Sequence, residues 1–246
     1  MYCRILKIIR ETKEKKISII ECNNKKYILK SFSCLDKTSV NMLRNEINIL
    51  YKLRNIDICP KIISYKLDDK RNYILIEYIE GRTINKLKFK NTKEKIILML
   101  KIIDAVKLIH SYNIIHCDLK PDNILFDNNG NIKIIDFGIS VNDQKNYFKK
   151  YGSVKYCSRN QLVGIKIDLT TDIYSLGIIF YELLFGKIPF VGDKKTIMKK
   201  KINYVYNKTN NNFINLILYK IFNDSEIKYY KLDQFENDLK LLFHNK

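Results

Sequence analysis

The stretch HCDLKPDNILF, residues 116–126, sets His116, Asp118, Lys120, Asp122 and Asn123 within eight positions. The turn-forming run DNNGN follows at 127–131, and a second apolar run ends in IIDFG with Asp136. Asp118 and Asn123 lie either side of a short loop, and Asp136 terminates the strand after it. A hairpin between them gathers these ends. One carboxylate is then free to orient a hydroxyl, while a second carboxylate and an amide oxygen ligate a hard cation. Mg²⁺ held by one or two protein oxygens plus phosphates is the usual arrangement in nucleotide chemistry. Lys120 stands two residues after Asp118, where a transferring phosphoryl group needs positive charge.

Those residues need a frame. The runs RILKII, KKISIIEC and KKYILKSF are short and rich in β-branched residues, split by ETKE and by CNN, so they predict three strands joined by two tight hairpins. TSVNMLRNEINILYKL has helical spacing, with Leu43, Leu50 and Leu53 on one stripe and Glu46 on the same stripe. A carboxylate buried alone is costly, so Glu46 requires a buried partner. KIISYKL and NYILIEYIEG read as two more strands, giving five strands and one helix that end near Gly81. Beyond that the pattern turns helical. KEKIILMLKIIDAVKLIHSYN is a long amphipathic helix, and NILF-DNNGN-IKIID is a hairpin with Asn-Gly turn chemistry. TTDIYSLGIIFYELLFG is a nearly all-round apolar helix stopped by Gly186, and KTIMKKKINYV, NFINLILYKIF and LDQFENDLKLLF supply further helical pieces. The expected architecture is α+β, with a β-rich lobe over 1–79 and a helical lobe over 80–246. Such a junction is a common place for a ligand cleft.

Composition narrows the function classes. The chain has 246 residues, 46% of them apolar, and no uncharged apolar run of the length a membrane span needs. Its first sixteen residues mix charge into the apolar positions and show no small-residue cleavage site, against a signal peptide. The formal net charge is +19. Lysine is spread along the whole chain among Ile and Asn, which is the mark of A/T-rich codons; clusters such as KEKK and KKTIMKKK read as solvated surface. A nucleic-acid partner is therefore not expected, since charge without a motif carries little. The six cysteines contain no CxxC pair, and with only three histidines the chain argues against a zinc site or a disulfide framework. A reducing compartment follows, the cytoplasm, or the host cytoplasm for a viral or parasite protein.

HCDLKPDN followed by DFG resembles the catalytic loop and metal-binding motif of the eukaryotic-type protein kinases. The resemblance runs along essentially the whole chain: YILK is similar to the third-strand segment of that family, ILIEYIEG to its hinge, DIYSLG to its core helix. It implies a bilobal kinase-like fold and these roles. Lys30 holds the α- and β-phosphates of ATP and Glu46 pairs with it, which gives the carboxylate on the apolar stripe its partner. Ile17, Ile28 and Leu125 belong to the nucleotide site, with Ile76 as gatekeeper and backbone at Glu77 and Ile79 facing the adenine. Asp118 orients the substrate hydroxyl and Lys120 neutralises the γ-phosphate. Asn123 and Asp136 hold Mg²⁺, and Asp172 braces the catalytic loop. His116 is structural. LKP after the aspartate, with Ser153 in GSVKY, resembles the serine/threonine branch.

The chain departs from the family in four places. Where GxGxxG covers the phosphates, it reads IRETKEKKI, with Arg10, Thr12 and Lys15 at the glycine positions and no glycine before Gly81. Losing one charge-assisted backbone hydrogen bond costs about 1.5–3 kcal/mol, or about 10- to 100-fold in affinity. Lys13, Lys15 or Lys16 could substitute as a cationic flap; the plainer reading is a solvated hairpin. Cys117 replaces the arginine that meets an activating phosphate. Ser158-Arg159-Asn160 stands for APE, and Lys228 for the arginine that pairs with its glutamate. Ile28 replaces an alanine and narrows the adenine pocket. The function expected is a serine/threonine protein kinase using ATP and Mg²⁺ on a protein substrate. The alternatives are a pseudokinase scaffold, or a small-molecule phosphotransferase that would lack the LKP lysine. Because Cys117 cannot receive a phosphate, phosphatase treatment of the purified protein should leave its basal activity intact, and a loss of that activity would contradict this reading.

Overall fold

The structure is a computed structural model that describes residues 3–33, 36–142, 152–165, 167–203, 208–223 and 226–244. In chain order its elements are β1 (Cys3–Glu11), β2 (Lys15–Cys22), β3 (Lys25–Phe32), α1 (Lys37–Lys52), β4 (Ile62–Leu67), β5 (Asn72–Glu77) and β6 (Gly81–Thr83). There follow α2 (Thr92–His110), β7 (Ile114–Ile115), β8 (Ile124–Asp127), β9 (Ile132–Ile134), β10 (Val141–Asn142), α3 (Arg159–Val163), α4 (Thr170–Phe185), α5 (Lys194–Ile202), α6 (Asn212–Phe222) and α7 (Leu232–His244). The fold is α+β. Among the described residues no helix is long and apolar enough to cross a membrane.

The chain divides into two compact units. One comprises residues 1–82 with 125–140, the other 83–124 with 141–246. The sequence division at 79/80 assigned 125–140 to the helical part. That segment instead joins the β-rich unit, because β8 and β9 continue a small sheet from β6 in the order β6-β8-β9. Gly81 permits this junction: a Cβ there would lie 2.5 Å from the Phe126 carbonyl oxygen.

The β-rich unit is built on an antiparallel five-stranded sheet, order β1-β2-β3-β5-β4. Its registers place Ile17 opposite Lys30, Lys15 opposite Phe32 and Ile28 opposite both Ile19 and Ile76. Directly opposed residues share a sheet face, so these side chains belong to one face. α1 buries Leu43 and Leu50 of the expected stripe together with Glu46, and Leu53, the residue that ends the helix, is buried as well. Asp36 caps the helix start by accepting from the Thr38 and Ser39 amides. One expectation fails in this unit. Cys3 and Cys22 form a disulfide. β1 begins one residue earlier than the pattern RILKII indicates, and its register sets Cys3 directly against Cys22 with Cα atoms 4.4 Å apart. A separation of 19 residues without a spacing motif hides such a pair from a sequence reading. Cys59, Cys117 and Cys157 are buried and take no part in this bridge.

The helical unit packs α2 against α4 and α7, and α6 against α4 and α7. α4 is buried almost all round, as its composition predicts, from Thr171 to Tyr181. Gly177 lies where α4 meets α6: a Cβ there would fall 2.1 Å from Ile221 Cγ2. Overpacking of this kind costs about 1–3 kcal/mol. Gly177→Ala should therefore lower the stability in urea denaturation by that amount, and the loss should be smaller when it is made in an Ile221→Ala background, which removes the Cγ2 that the new Cβ would strike. An unchanged midpoint would show that the two helices are not in close approach.

Candidate functional site

The residues singled out by the sequence fall into two groups, one in each unit. In the β-rich unit the centre is Lys30, on the third strand. Its Nζ donates to Glu46 Oε1 at 2.5 Å and to Asp136 Oδ1 at 3.2 Å. Lys30 and Glu46 are 5% and 1% exposed, so the pair is fully withdrawn from water. Burial alone pulls the Lys30 ammonium down, but Asp136 and Glu46 outweigh it and hold its pKa above the ordinary lysine value. The lysine therefore stays charged, and both carboxylates need it. Glu46 has found the buried partner that its place on the apolar stripe demanded.

Asp136 follows β9 in a left-handed backbone conformation, φ 69°. Such a conformation in a residue with a Cβ costs about 1–2 kcal/mol and persists only where the surroundings impose it. One source is Asn45, the neighbour of Glu46 on α1. Its Nδ2 lies 3.3, 3.1 and 2.9 Å from the carbonyl oxygens of Phe137, Gly138 and Ser140. One helix thus fixes the ammonium through Glu46 and the chain after Asp136 through Asn45. Ile17, Ile28, Glu77, Ile79 and Leu125 lie in the same unit, each half-buried. Ile28 sits directly opposite Ile76 across β3 and β5, so the residue expected to narrow an adenine pocket abuts the expected gatekeeper. The Glu77 amide donates to the Lys61 carbonyl, which pins the end of β5.

In the helical unit the foundation is Asp172, in the first turn of α4 and wholly buried. It accepts from His110 Nε2 at 2.9 Å, from the His116 amide at 2.8 Å and from the Cys117 amide at 2.9 Å. Burial pushes its pKa up, yet the hydrogen bond and charge of His110, with the proximity of His116, bring the net value below that of an ordinary carboxylate. Cys117 takes a left-handed conformation, φ 67°, between two clamps: Asp172 on its amide and Gln161 Nε2 on its carbonyl at 2.7 Å. His116 is structural, as expected. Its Nδ1 accepts from the Asp118 amide at 3.2 Å, which fixes the ring tautomer.

Asp118 emerges from this platform surrounded by donors. Oδ1 accepts from the Ser153 hydroxyl at 2.8 Å and the Ser153 amide at 3.0 Å. Oδ2 accepts from Lys120 Nζ at 2.6 Å and Asn123 Nδ2 at 3.2 Å. Lys120 Nζ also donates to Ser153 Oγ at 3.0 Å. Asp118, Lys120, Asn123 and Ser153 therefore form one closed cluster. Asn123 also donates to the Asp118 carbonyl at 2.9 Å, so its nitrogen is committed and its amide oxygen is the atom suited to a hard cation.

The chain over 152–163 is held by means the sequence did not announce. Ser158 and Gln161 form a reciprocal capping box at the start of α3. Lys201, buried on α5, donates to the carbonyls of Val154, Lys155 and Cys157 at 2.9, 3.3 and 2.6 Å. An ammonium on carbonyl oxygens thus anchors this end. Lys228 lines the same small cavity as Ser158, Arg159 and Asn160, and its Nζ lies over the Tyr230 ring at 5.3 Å. Residues 143–151 lie outside the described residues, and with them most of the expectation drawn from Cys117.

The sequence reading missed Asn45, His110, Gln161 and Lys201. Asn45, Gln161 and Lys201 act on backbone carbonyls, which leaves no pairing pattern among residue types, and His110 acts on the Asp172 carboxylate 62 positions away in the chain. Asn45 alone had a signal, as a polar residue beside the Glu46 stripe.

The protein kinase domain family matches residues 7–244. A probable serine/threonine-protein kinase of Clostridium acetobutylicum is 35% identical over 174 residues, 68% of this chain and 26% of the relative. The serine/threonine-protein kinase PrkC of Bacillus subtilis is 40% identical over 145 residues, covering 54% of this chain and 22% of that protein. The cAMP-dependent protein kinase catalytic subunit of Dictyostelium discoideum is 30% identical over 200 residues, 79% of this chain and 30% of the relative. The matched part is thus under a third of the length of each of these relatives.

Asn45 offers a direct check on the geometry. Asn45→Ala removes the amide that serves three carbonyls, at a cost of about 1–3 kcal/mol if they stay buried. Amide exchange over residues 137–142 should accelerate, while exchange in α4 stays as in the parent protein. Equal exchange throughout would show that the amide does not hold this segment.

Proposed function

The chain belongs to the protein kinase family, and from that premise we propose that it is a serine/threonine protein kinase that moves the γ-phosphoryl group of ATP to a protein hydroxyl. The observation that carries this reading is the closed cluster of Asp118, Lys120, Asn123 and Ser153. Four donors fix the Asp118 carboxylate while leaving it 13% exposed, so it can still receive a hydroxyl. In this role Asp118 orients the acceptor oxygen and takes its proton, and Lys120 faces the transferring phosphoryl group with its charge. Phosphoryl transfer asks for position and charge neutralisation more than for covalent chemistry.

The nucleotide side of the reading rests on Lys30. An ammonium kept charged by two carboxylates is suited to phosphate oxygens, and the half-buried Ile17, Ile28, Glu77, Ile79 and Leu125 are assigned to the base. A magnesium ion, when bound, would neutralise phosphate charge. The Asn123 amide oxygen and the Asp136 carboxylate are the hard oxygen donors assigned to it, and the commitment of the Asn123 nitrogen to Asp118 supports that assignment. The cytoplasmic location belongs to the same proposal on the need for ATP alone, because the Cys3–Cys22 bridge removes the argument from cysteine usage. The serine/threonine preference is supported by Lys120 and by the serine/threonine kinases among the similar proteins.

Two measurements test the proposal together. ATP with Mg²⁺ should raise the melting temperature of the protein, and labelled phosphate should appear on serine or threonine of a generic protein substrate. Asp118→Asn should retain the thermal shift and lose about 10²- to 10⁴-fold in transfer. A thermal shift without transfer by the parent protein would leave a nucleotide-binding scaffold, and transfer undiminished in the variant would remove Asp118 from its role.

A further inference from the structure

We infer that Lys15 carries the phosphate-binding function which the family's glycine-rich turn performs with backbone amides; this rests on the proposal that the β-rich unit binds ATP. Glycine lets a turn bring its N–H groups against phosphate oxygens. In this chain the turn joining β1 to β2 has used those groups on itself. The Thr12 amide donates to the Lys15 carbonyl at 2.9 Å, and the Thr12 hydroxyl accepts from the Lys15 amide at 3.1 Å and the Glu14 amide at 3.3 Å. The Ser33 amide then ties the Glu14 carbonyl to the end of β3 at 2.8 Å. A turn closed in this way has three of its amides occupied and is pinned at its tip, so a phosphate must be met by a side chain.

The sheet register decides which side chain. Lys15 stands opposite Phe32, two residues from the opposed pair Ile17 and Lys30, so Lys15, Ile17, Lys30 and Ile28 share one face. That is the face of the phosphate-binding lysine and of the residues assigned to the nucleotide. Lys16 stands on the opposite face and is paired with Glu11 at 3.0 Å. Lys13 is exposed within the turn. Of the three lysines only Lys15 is aimed correctly. It is half-buried, and its Nζ lies 5.1 Å from the centroid of the Phe32 ring, which gives the ammonium a fixed bearing. The charges of Asp136, Lys30 and Glu46 all reach it, and burial, the largest influence, lowers its pKa. A partly dehydrated cation beside a second cation, Lys30, gains most from an arriving polyanion. The ligand class is therefore a nucleoside triphosphate or diphosphate, recognised through its phosphates.

The experiment compares binding of ATP with Mg²⁺ and binding of adenosine alone, by calorimetry, in the parent protein and in Lys15→Met, Lys15→Arg and Lys16→Met. Lys15→Met should weaken ATP about 10-fold or more while adenosine changes by less than about twofold. Lys15→Arg should recover most of the loss, and Lys16→Met should bind both ligands as the parent does. If Lys15→Met weakens ATP and adenosine alike, the lysine is structural and the inference falls; it falls equally if neither changes. If the parent protein binds adenosine and ATP not at all, the underlying nucleotide reading fails first, and the two failures are told apart by the parent alone.

Discussion

A buried ammonium is the constraint on which the β-rich unit depends. Lys30 lies between Glu46 and Asp136, with Glu46 almost wholly out of water. Removing one partner of such a pair leaves a bare buried charge, a cost of about 3–5 kcal/mol. The strand, the helix and the segment after β9 are therefore locked in mutual register by electrostatics that none satisfies alone. The same helix adds a second tie through Asn45, so the position of Asp136 follows from α1 twice over. A charge so placed is of modest value for stability, because well-packed apolar side chains would serve as well. Its retention makes sense as a site held ready for an anion.

The helical unit solves a parallel problem with the opposite sign. Asp172 is a buried anion, and its partners are the His110 ring and two amides of the loop that carries Asp118. The strained Cys117 conformation is held by this anion on one side and by Gln161 on the other. Asp118 is thereby presented on a rigid base, and its own donors come from three further residues. In the role proposed for Asp118, its precision derives from the residues that hold the loop beneath it.

Much of this was legible in the sequence. The strands follow from short β-branched runs, α1 from its helical stripe and α4 from an apolar run stopped by Gly186, and Glu46 declared its need for a partner by sitting on an apolar stripe. Asp118, Lys120 and Asn123 were legible because their spacing is itself the chemistry. What could not be read shares a physical cause. Asn45, Gln161 and Lys201 bind carbonyl oxygens, which every residue possesses, so no pattern of residue types marks them. The Cys3–Cys22 bridge depends on strand register to the residue, and a boundary shift of one position conceals it. The grouping of 125–140 with the β-rich unit is a matter of tertiary pairing with β6, to which local sequence is blind.

The missing glycines take a different meaning in this light. A turn that satisfies its own amides is sturdier than a glycine-rich one and less able to adapt to a ligand, which is the ground for assigning recognition to a side chain on the sheet. The account as a whole stands on Glu46 acting only through the Lys30 ammonium. A double-mutant cycle with Lys30→Met and Glu46→Gln, read as kcat/KM for phosphate transfer from ATP, tests this most directly. The double variant should be no worse than Lys30→Met alone, because the glutamate has nothing left to position. Losses that multiply independently would contradict the account and show that the two residues serve separate ends.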